Sequence, residues 1–368
     1  MANQEQHRSL EVSISSHDNG FNLVRLVCAL LVVVFHAWAM NRGAPHPDPL
    51  TRLLAPNTDL GTLAVGVFFV ISGMFIGRSW MGDPHLGRFA LRRAARIIPG
   101  LFACLLLTTL AAVVFFSAPG WRGLLDPAPW RFIFGNTVLH GLVYNIPPEE
   151  LRIPGVLGGQ DLNGPLWTLY WEGRMYVMVA LIGLAAAIPL RTWMSGAALF
   201  LLLAANLFPQ VASGYVWEVR MWSLFLVGLA LQTLAPDLRF GWRHVACALA
   251  LLLLNATRFD ALTPSPFTWF GIMLLAVTVA LCVGSCRMSW AKHLQRNDYS
   301  YGIYIWHWPI IIMLREVLPP VGPVGLSLAA VAAVVPLAML SWHLVEAPSL
   351  RTVRRWLARG RRHASAPA

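Results

Sequence analysis

Residues 22–41 read NLVRLVCALLVVVFHAWAMN. Wound as a helix, twenty residues span about 30 Å, the thickness of a bilayer's hydrocarbon core. Arg25 and His36 are the only basic side chains in the run, and no acidic one is present. Reading outward, similar stretches recur at 61–80, 97–117, 165–187, 193–209, 215–234, 242–258, 266–286, 299–318 and 323–346. Proline and glycine punctuate the gaps, as in Pro45–Pro49, Pro127–Pro129 and Pro147-Pro148. Composition agrees: 57% of residues are hydrophobic and 12% are charged, against about 25% charged in soluble domains. Too little polar surface is present to wrap soluble cores of this size. The 16 Trp and 18 Phe exclude disorder, and the 29 Gly follow no collagen triplet. The expected fold is all-α, a polytopic integral membrane protein with about ten transmembrane helices.

The balance of charge is basic, 28 Lys and Arg against 17 Asp and Glu. Ten spans place both termini on one side. With the N-terminus in the cytoplasm, and cations toward span ends counted with the adjoining segment, the inner side holds 18 cations and the outer side 8, with Arg25 and Arg174 left inside spans. That excess predicts both termini cytoplasmic, and it explains the basic balance without a nucleic-acid partner. The chain then divides into a cytoplasmic segment 1–21, a transmembrane domain 22–350 and a basic tail 351–368. The tail is expected to lie on anionic membrane lipid. Ala37-Trp38-Ala39 fits a signal-cleavage pattern, but the first 21 residues are polar with a single Arg, so cleavage is not expected. The segment 118–164 is the longest between spans and should be exterior and functional. No internal repeat is visible, which weighs against transporters built from duplicated halves. Cys28, Cys104, Cys247, Cys282 and Cys286 have neither Cys-x-x-Cys nor histidine spacing, so no metal site is expected.

Ionisable groups inside spans are costly and therefore informative. Arg25 and His36 are eleven residues apart. That is close to three helical turns, so they share a face about 16 Å apart along the axis. A histidine there can serve as a general base. Arg93 and Arg96, three apart in FALRRAARIIP (residues 89–99), can clamp phosphates. Glu172 lies in PLWTLYWEGRMY (165–176). Arg174 is two residues on and off its helix face, so Glu172 should meet another helix. SYGIYIWHWPI (300–310) sets His307 among aromatics, and HLVEAPS (343–349) carries Glu346.

These segments together, with GVFFVISGMFI (66–76), resemble the acyltransferase 3 family of bacterial integral membrane O-acyltransferases. They occur in family order from about residue 20 to 350. The resemblance implies transfer of an acyl group, commonly acetyl, from acyl-CoA at the cytoplasmic side to a hydroxyl. Acceptors would be a cell-surface glycan, a lipid-linked sugar or a similar molecule. It places the enzyme in the bacterial inner membrane and implies no permanently bound cofactor, acyl-CoA being a co-substrate. It makes His36 the catalytic histidine, Arg25 its companion, and Arg93 and Arg96 the donor-binding pair. Arg78 is grouped with that pair, and Trp167, Tyr301 and His307 are assigned to substrate binding. An acidic partner should orient His36, and Glu172 and Glu346 compete for that role. The sequence departs from the family at Gly173, where many members have a second acidic residue, and at Met74, where Phe is commoner. The rival class is a transporter or flippase for a lipid-linked sugar, with Arg, His and Glu as a proton relay.

Overall fold

The structure, a computed structural model, describes residues 8–16, 18–41, 47–138, 152–184, 216–256, 265–288 and 292–364, with four positions between 197 and 204. Among the described residues it is helical, without a named strand. The helices are α1 (Leu10–Ser15), α2 (Phe21–Ala39), α3 (Pro49–Leu54), α4 (Leu60–Met81), α5 (Leu86–Phe116), α6 (Pro127–Thr137) and α7 (Leu166–Leu184). There follow α8 (Val216–Leu234), α9 (Trp242–Ala256), α10 (Pro266–Ser285), α11 (Lys292–Arg296), α12 (Ser300–Val317), α13 (Pro323–Ser341) and α14 (Ala347–Ala364). A single π turn, Trp342–Glu346, joins the last two.

Local chemistry sets several of the starts. Asp59 caps α4, its Oδ1 accepting from the Thr62 amide at 2.7 Å. Asp48-Pro49, Asp126-Pro127 and Ser265-Pro266 pair a capping side chain with a proline in the first turn.

Five helical runs are long and apolar enough to cross a membrane: Phe21–Ala39, Leu60–Met81, Leu86–Phe116, Pro266–Ser285 and Pro323–Arg359. The expected count of about ten is not reached on that criterion. Helices α7, α8 and α12 are long enough but carry Glu172 and Arg174, Glu218 and Arg220, and His307, Arg315 and Glu316 respectively. Helix α9 has 15 residues, and the expected span 193–209 lies almost wholly outside the described residues. Two boundaries also move. The arginine segment 88–96, expected to precede the span at 97–117, forms the first turns of the 31-residue α5. The basic tail continues the last helix to Ala364. Within 118–164, the described part folds as a 3-10 turn at Gly120–Leu125, then α6 and an irregular return. His140, Tyr144, Glu149 and Glu150 lie outside the described residues.

The chain divides into two compact units. Unit 1 comprises 1–35, 47–82 and 181–300. Its core is α4 against α8, and small residues decide that contact. A Cβ on Gly73 would collide with the carbonyl oxygen of Phe225, and one on Gly228 with that of Val70, so both glycines permit backbone-to-backbone approach. α10 joins this pair through Met273, and α9 packs on α10. α1 is tied to the end of α8 by Leu10 N to Leu238 O (3.0 Å) and Glu11 N to Pro236 O (2.9 Å). Arg78 and Gln232 both donate to the Glu11 carboxylate. The Arg78 guanidinium holds the Glu11 carboxyl below its ordinary range.

Unit 2 comprises 36–46, 83–180 and 301–368. α5 is packed by α6, α14 and the π turn. Prolines inside its helices expose acceptors that other side chains then satisfy. Pro309 has no N–H, so the carbonyl of Ile305 loses its helical donor. Asn163 Nδ2 at 3.0 Å and Cys104 Sγ at 3.2 Å take its place. Pro99 does the same to Ala95, whose carbonyl accepts from Ser349 Oγ at 3.4 Å.

Candidate functional site

Unit 2 brings His36 and His307 together. His36 sits near the C-terminal end of α2 and is part-buried. His307 is two turns into α12 and fully buried. His307 Nδ1 lies 2.5 Å from the Tyr304 carbonyl oxygen, one turn back in its own helix. A carbonyl only accepts, so Nδ1 carries the hydrogen. A neutral His307 ring then bears its lone pair at Nε2, which lies 2.9 Å from His36 Nδ1. His36 Nδ1 must therefore donate, which puts the lone pair of His36 on Nε2. One backbone carbonyl thus fixes the tautomers of two imidazoles in series. The rings lie near one plane, 25° apart with centroids at 5.0 Å. The Trp308 ring meets His36 edge-on at 5.0 Å. Trp308 is held by its Nε1–H to the Asp161 carbonyl at 2.8 Å, and Gly164 lets the chain pass close against that indole.

The arginine pair forms a second cluster in unit 2. The Arg93 guanidinium lies 5.9 Å from the ring centres of both Phe89 and Tyr176. Arg96 lies 5.3 Å from Tyr301 and 5.6 Å from Trp342. Glu346 is 1% exposed, bonds Arg96 at 3.4 Å and accepts from Ser341 Oγ at 2.9 Å. Glu172 accepts from Tyr176 Oη, one turn along α7. Tyr301 donates to the Ile97 carbonyl at 2.8 Å. The structure places Glu346 at Arg96, Glu172 at the tyrosine beneath Arg93, and an imidazole at His36 Nδ1. α12 carries both clusters. Tyr301 under Arg96 and His307 beside His36 are six residues apart, about 9 Å along the helix axis.

Other expected site residues fall elsewhere. Arg25 belongs to unit 1, where it pairs with Asp298, which also caps α12 at Ser300. Arg78 is in unit 1 on Glu11. Trp167, at the start of α7, is 40% exposed. Tyr304 and Trp308 were not singled out from sequence. Their signal was present, since Tyr304 is three residues before His307 on one helix and Trp308 precedes the proline that frees an acceptor. Asp298 had none, because its partner is 273 residues away. Among the described residues none of the five cysteines is in a disulfide.

Comparison with known proteins supplies the chemistry that geometry alone does not name. The family model described as an acyltransferase domain matches residues 18–343. Nodulation protein 10 of Rhizobium leguminosarum bv. viciae is 27% identical, over 94% of this chain and 96% of its own length. The O-acetyl transferase of Shigella phage Sf6 is also 27% identical, over 89% of this chain and 95% of its own. The peptidoglycan O-acetyltransferase OatA of Listeria monocytogenes is 24% identical over 78% of this chain, which spans 51% of that protein. No solved structure matches. A family match across nearly the whole chain, on a background of apolar helices, makes this a membrane acyltransferase: the chain belongs to the acyltransferase 3 family.

Proposed function

We propose that the protein transfers an acetyl or similar acyl group from acyl-CoA to a hydroxyl of a cell-surface glycan or lipid-linked sugar. The observation that carries the reading is the Tyr304–His307–His36 chain, which presents His36 Nε2 as a lone-pair nitrogen. In this reading, Nε2 takes the proton of the acceptor hydroxyl as its oxygen attacks the thioester carbonyl. The C–S bond breaks, the CoA thiolate leaves, and the imidazolium returns the proton to sulfur. Arg93 and Arg96 hold donor phosphates. Their aromatic surroundings shed water, which strengthens the attraction for an anion. Glu346 keeps Arg96 neutralised and in place until the donor arrives. Glu172 steadies Tyr176 beneath Arg93.

The topology that serves this scheme is that expected from the cation division. Both termini and the start of α5 face the cytoplasm, where CoA is found, and the segment around α6 faces out. Sequence likeness to an O-acetyl transferase and to a peptidoglycan O-acetyltransferase supports a glycan acceptor. The test is His36→Ala in membranes supplied with radiolabelled acetyl-CoA. Label transfer to membrane-associated glycan should fall by about 10²–10⁴-fold, the usual contribution of a positioned base, with protein abundance unchanged. Activity within a few-fold of the parent would remove His36 from the chemistry.

A further inference from the structure

Unit 1 holds a group of polar atoms that the acyl-transfer scheme does not use. Helices α4, α8 and α10 run parallel there. A Cβ on Gly66 would lie 3.0 Å from Leu224 and 2.9 Å from the Met273 sulfur, so the three helices meet at this level. One turn toward their N-termini come Arg220, four residues before Leu224, and Trp269, four before Met273. The Arg220 guanidinium lies 4.4 Å from the centre of the Trp269 ring and 5.6 Å from that of Trp217.

The donors at this point lack acceptors among the described residues. Arg220 has no carboxylate in ion-pair range, and its Nε is buried without a partner. Trp269 is 1% exposed, and its indole N–H is likewise unpartnered. The ring whose N–H is unmet is the ring that the guanidinium covers, so the two unmet donors belong to one spot. Thr58 Oγ1 is a third buried and unpartnered group. Asn57 beside it accepts from the Ser265 amide at 2.7 Å, which brings this pair to the start of α10, one turn from Trp269. Buried donors left unmet are costly and call for an explanation.

We propose that Arg220, Trp269 and Thr58 form an anion site in unit 1 that takes a phosphate group, borne on a membrane lipid or free. The charge requires an anion. A tetrahedral phosphate offers acceptor oxygens in several directions, which suits donors coming from different helices, whereas a carboxylate offers two in one plane. The N-terminal ends of three helices add partial positive charge. The Asp59 carboxylate on α4 is already engaged, by Thr62 N at 2.7 Å and Thr62 Oγ1 at 2.8 Å. The indole of Trp217, 44% exposed, gives the arginine an amphipathic cover of the kind found at a membrane–water boundary. This site does not depend on the roles proposed for His36 or the Arg93–Arg96 pair.

The test uses the full chain in detergent micelles and follows binding of ³²P-labelled short-chain phosphatidic acid. Diacylglycerol of the same chain length and inorganic phosphate serve as competitors. The parent should bind the label, and diacylglycerol should not displace it. Displacement by inorganic phosphate assigns the site to phosphate in general; its failure to displace assigns the site to the lipid-borne group. Arg220→Gln should weaken binding about 10- to 100-fold, as expected for loss of a charged hydrogen-bond donor. Arg220→Lys should restore part of it, because the guanidinium fork is lost. Trp269→Phe keeps the aromatic face and removes only the indole N–H; it should weaken binding about 3- to 10-fold. If Arg220 merely anchored its helix, Trp269→Phe would delete an unmet donor, stabilise the fold and leave binding unchanged. Unaltered binding in that variant, or no binding to the parent, overturns the proposal, and the Phe variant keeps the test decisive should Arg220→Gln fail to fold.

Discussion

Replacing His307 separates a base that is held in one tautomer from one that merely sits in a pocket. In the parent, His36 Nδ1 donates to His307 Nε2 at 2.9 Å. In His307→Leu that acceptor is gone, and both tautomers of His36 become accessible. Loss of one neutral hydrogen bond, about 1 kcal/mol, reduces the productive tautomer about 5-fold. The larger effect comes when His36 takes a proton. Its Nδ1–H then belongs to a cation, and the lost charged hydrogen bond is worth about 1.5–3 kcal/mol, or about 10- to 100-fold in kcat. In the proposed scheme donor contacts lie at Arg93 and Arg96, so KM for acetyl-CoA should stay within about 2-fold, the pattern of an interaction made during reaction rather than in binding.

His307→Gln supplies the control. Its Oε1 can occupy the place of Nε2 and accept from His36, so this variant should retain activity within about 10-fold of the parent. Release of CoA thiol from acetyl-CoA, in membranes that contain the native acceptor, reads all three proteins. Thermal unfolding of the purified variants checks that the fold is kept. If the Leu and Gln variants lose activity equally with folding intact, the tautomer argument fails. It fails also if the Leu variant matches the parent within 2-fold.

Arg93→Ala and Arg96→Ala should each raise KM for acyl-CoA with kcat less affected, and Lys should rescue only in part because the fork is lost; full rescue by Lys in initial-rate kinetics would make them simple anchors. Gly228→Ala should push α8 away from the Val70 carbonyl and cost about 1–3 kcal/mol, read as a lowered midpoint of thermal unfolding. Asp83 is bonded to Arg88 and Arg92, each at 2.6 Å, and both hold its carboxyl below the usual range. A depressed carboxyl adds stability above its unfolded pKa of about 3.9, lost as pH falls through the folded value. Asp83→Asn should therefore unfold earlier than the parent at neutral pH, with the gap closing below about pH 4; a constant gap would mean that the charge is not its source.

What could be read from sequence was what local spacing controls. The apolar runs gave helices, and the Arg93–Arg96 spacing gave a pair on one face of α5. His36 and His307 stood out because an ionisable group in an apolar run is costly wherever the chain goes next. Partners could not be read, because they join residues hundreds of positions apart. His36 is 271 residues from His307, and Arg96 is 250 from Glu346. Counting charges suggested that a histidine needs a carboxylate. Packing sets a second imidazole beside His36 and Glu346 beside the part-buried Arg96. The count of about ten spans is not confirmed, because ionisable residues lower the hydropathy of α7, α8 and α12 and the stretch 193–209 lies almost wholly outside the described residues.

Helix α12 shows why the clusters hold together as a site. Tyr301 lies under Arg96, Tyr304 gives the carbonyl that sets the tautomers, His307 passes that setting on, and Trp308 covers His36. Pro309 would weaken such a helix, since it leaves the Ile305 carbonyl without a helical donor. Asn163 and Cys104 restore that bond from two other parts of unit 2. The same stretch that brings Asn163 in also supplies the Asp161 carbonyl that fixes Trp308 and the glycine that makes room for it. The proline therefore fastens the helix to its surroundings at the level of the histidines instead of leaving it free to bend. If His36 is the base, as proposed, holding one nitrogen ready needs a rigid neighbour. Here the rigidity comes from hydrogen bonds that a regular helix would have spent on itself.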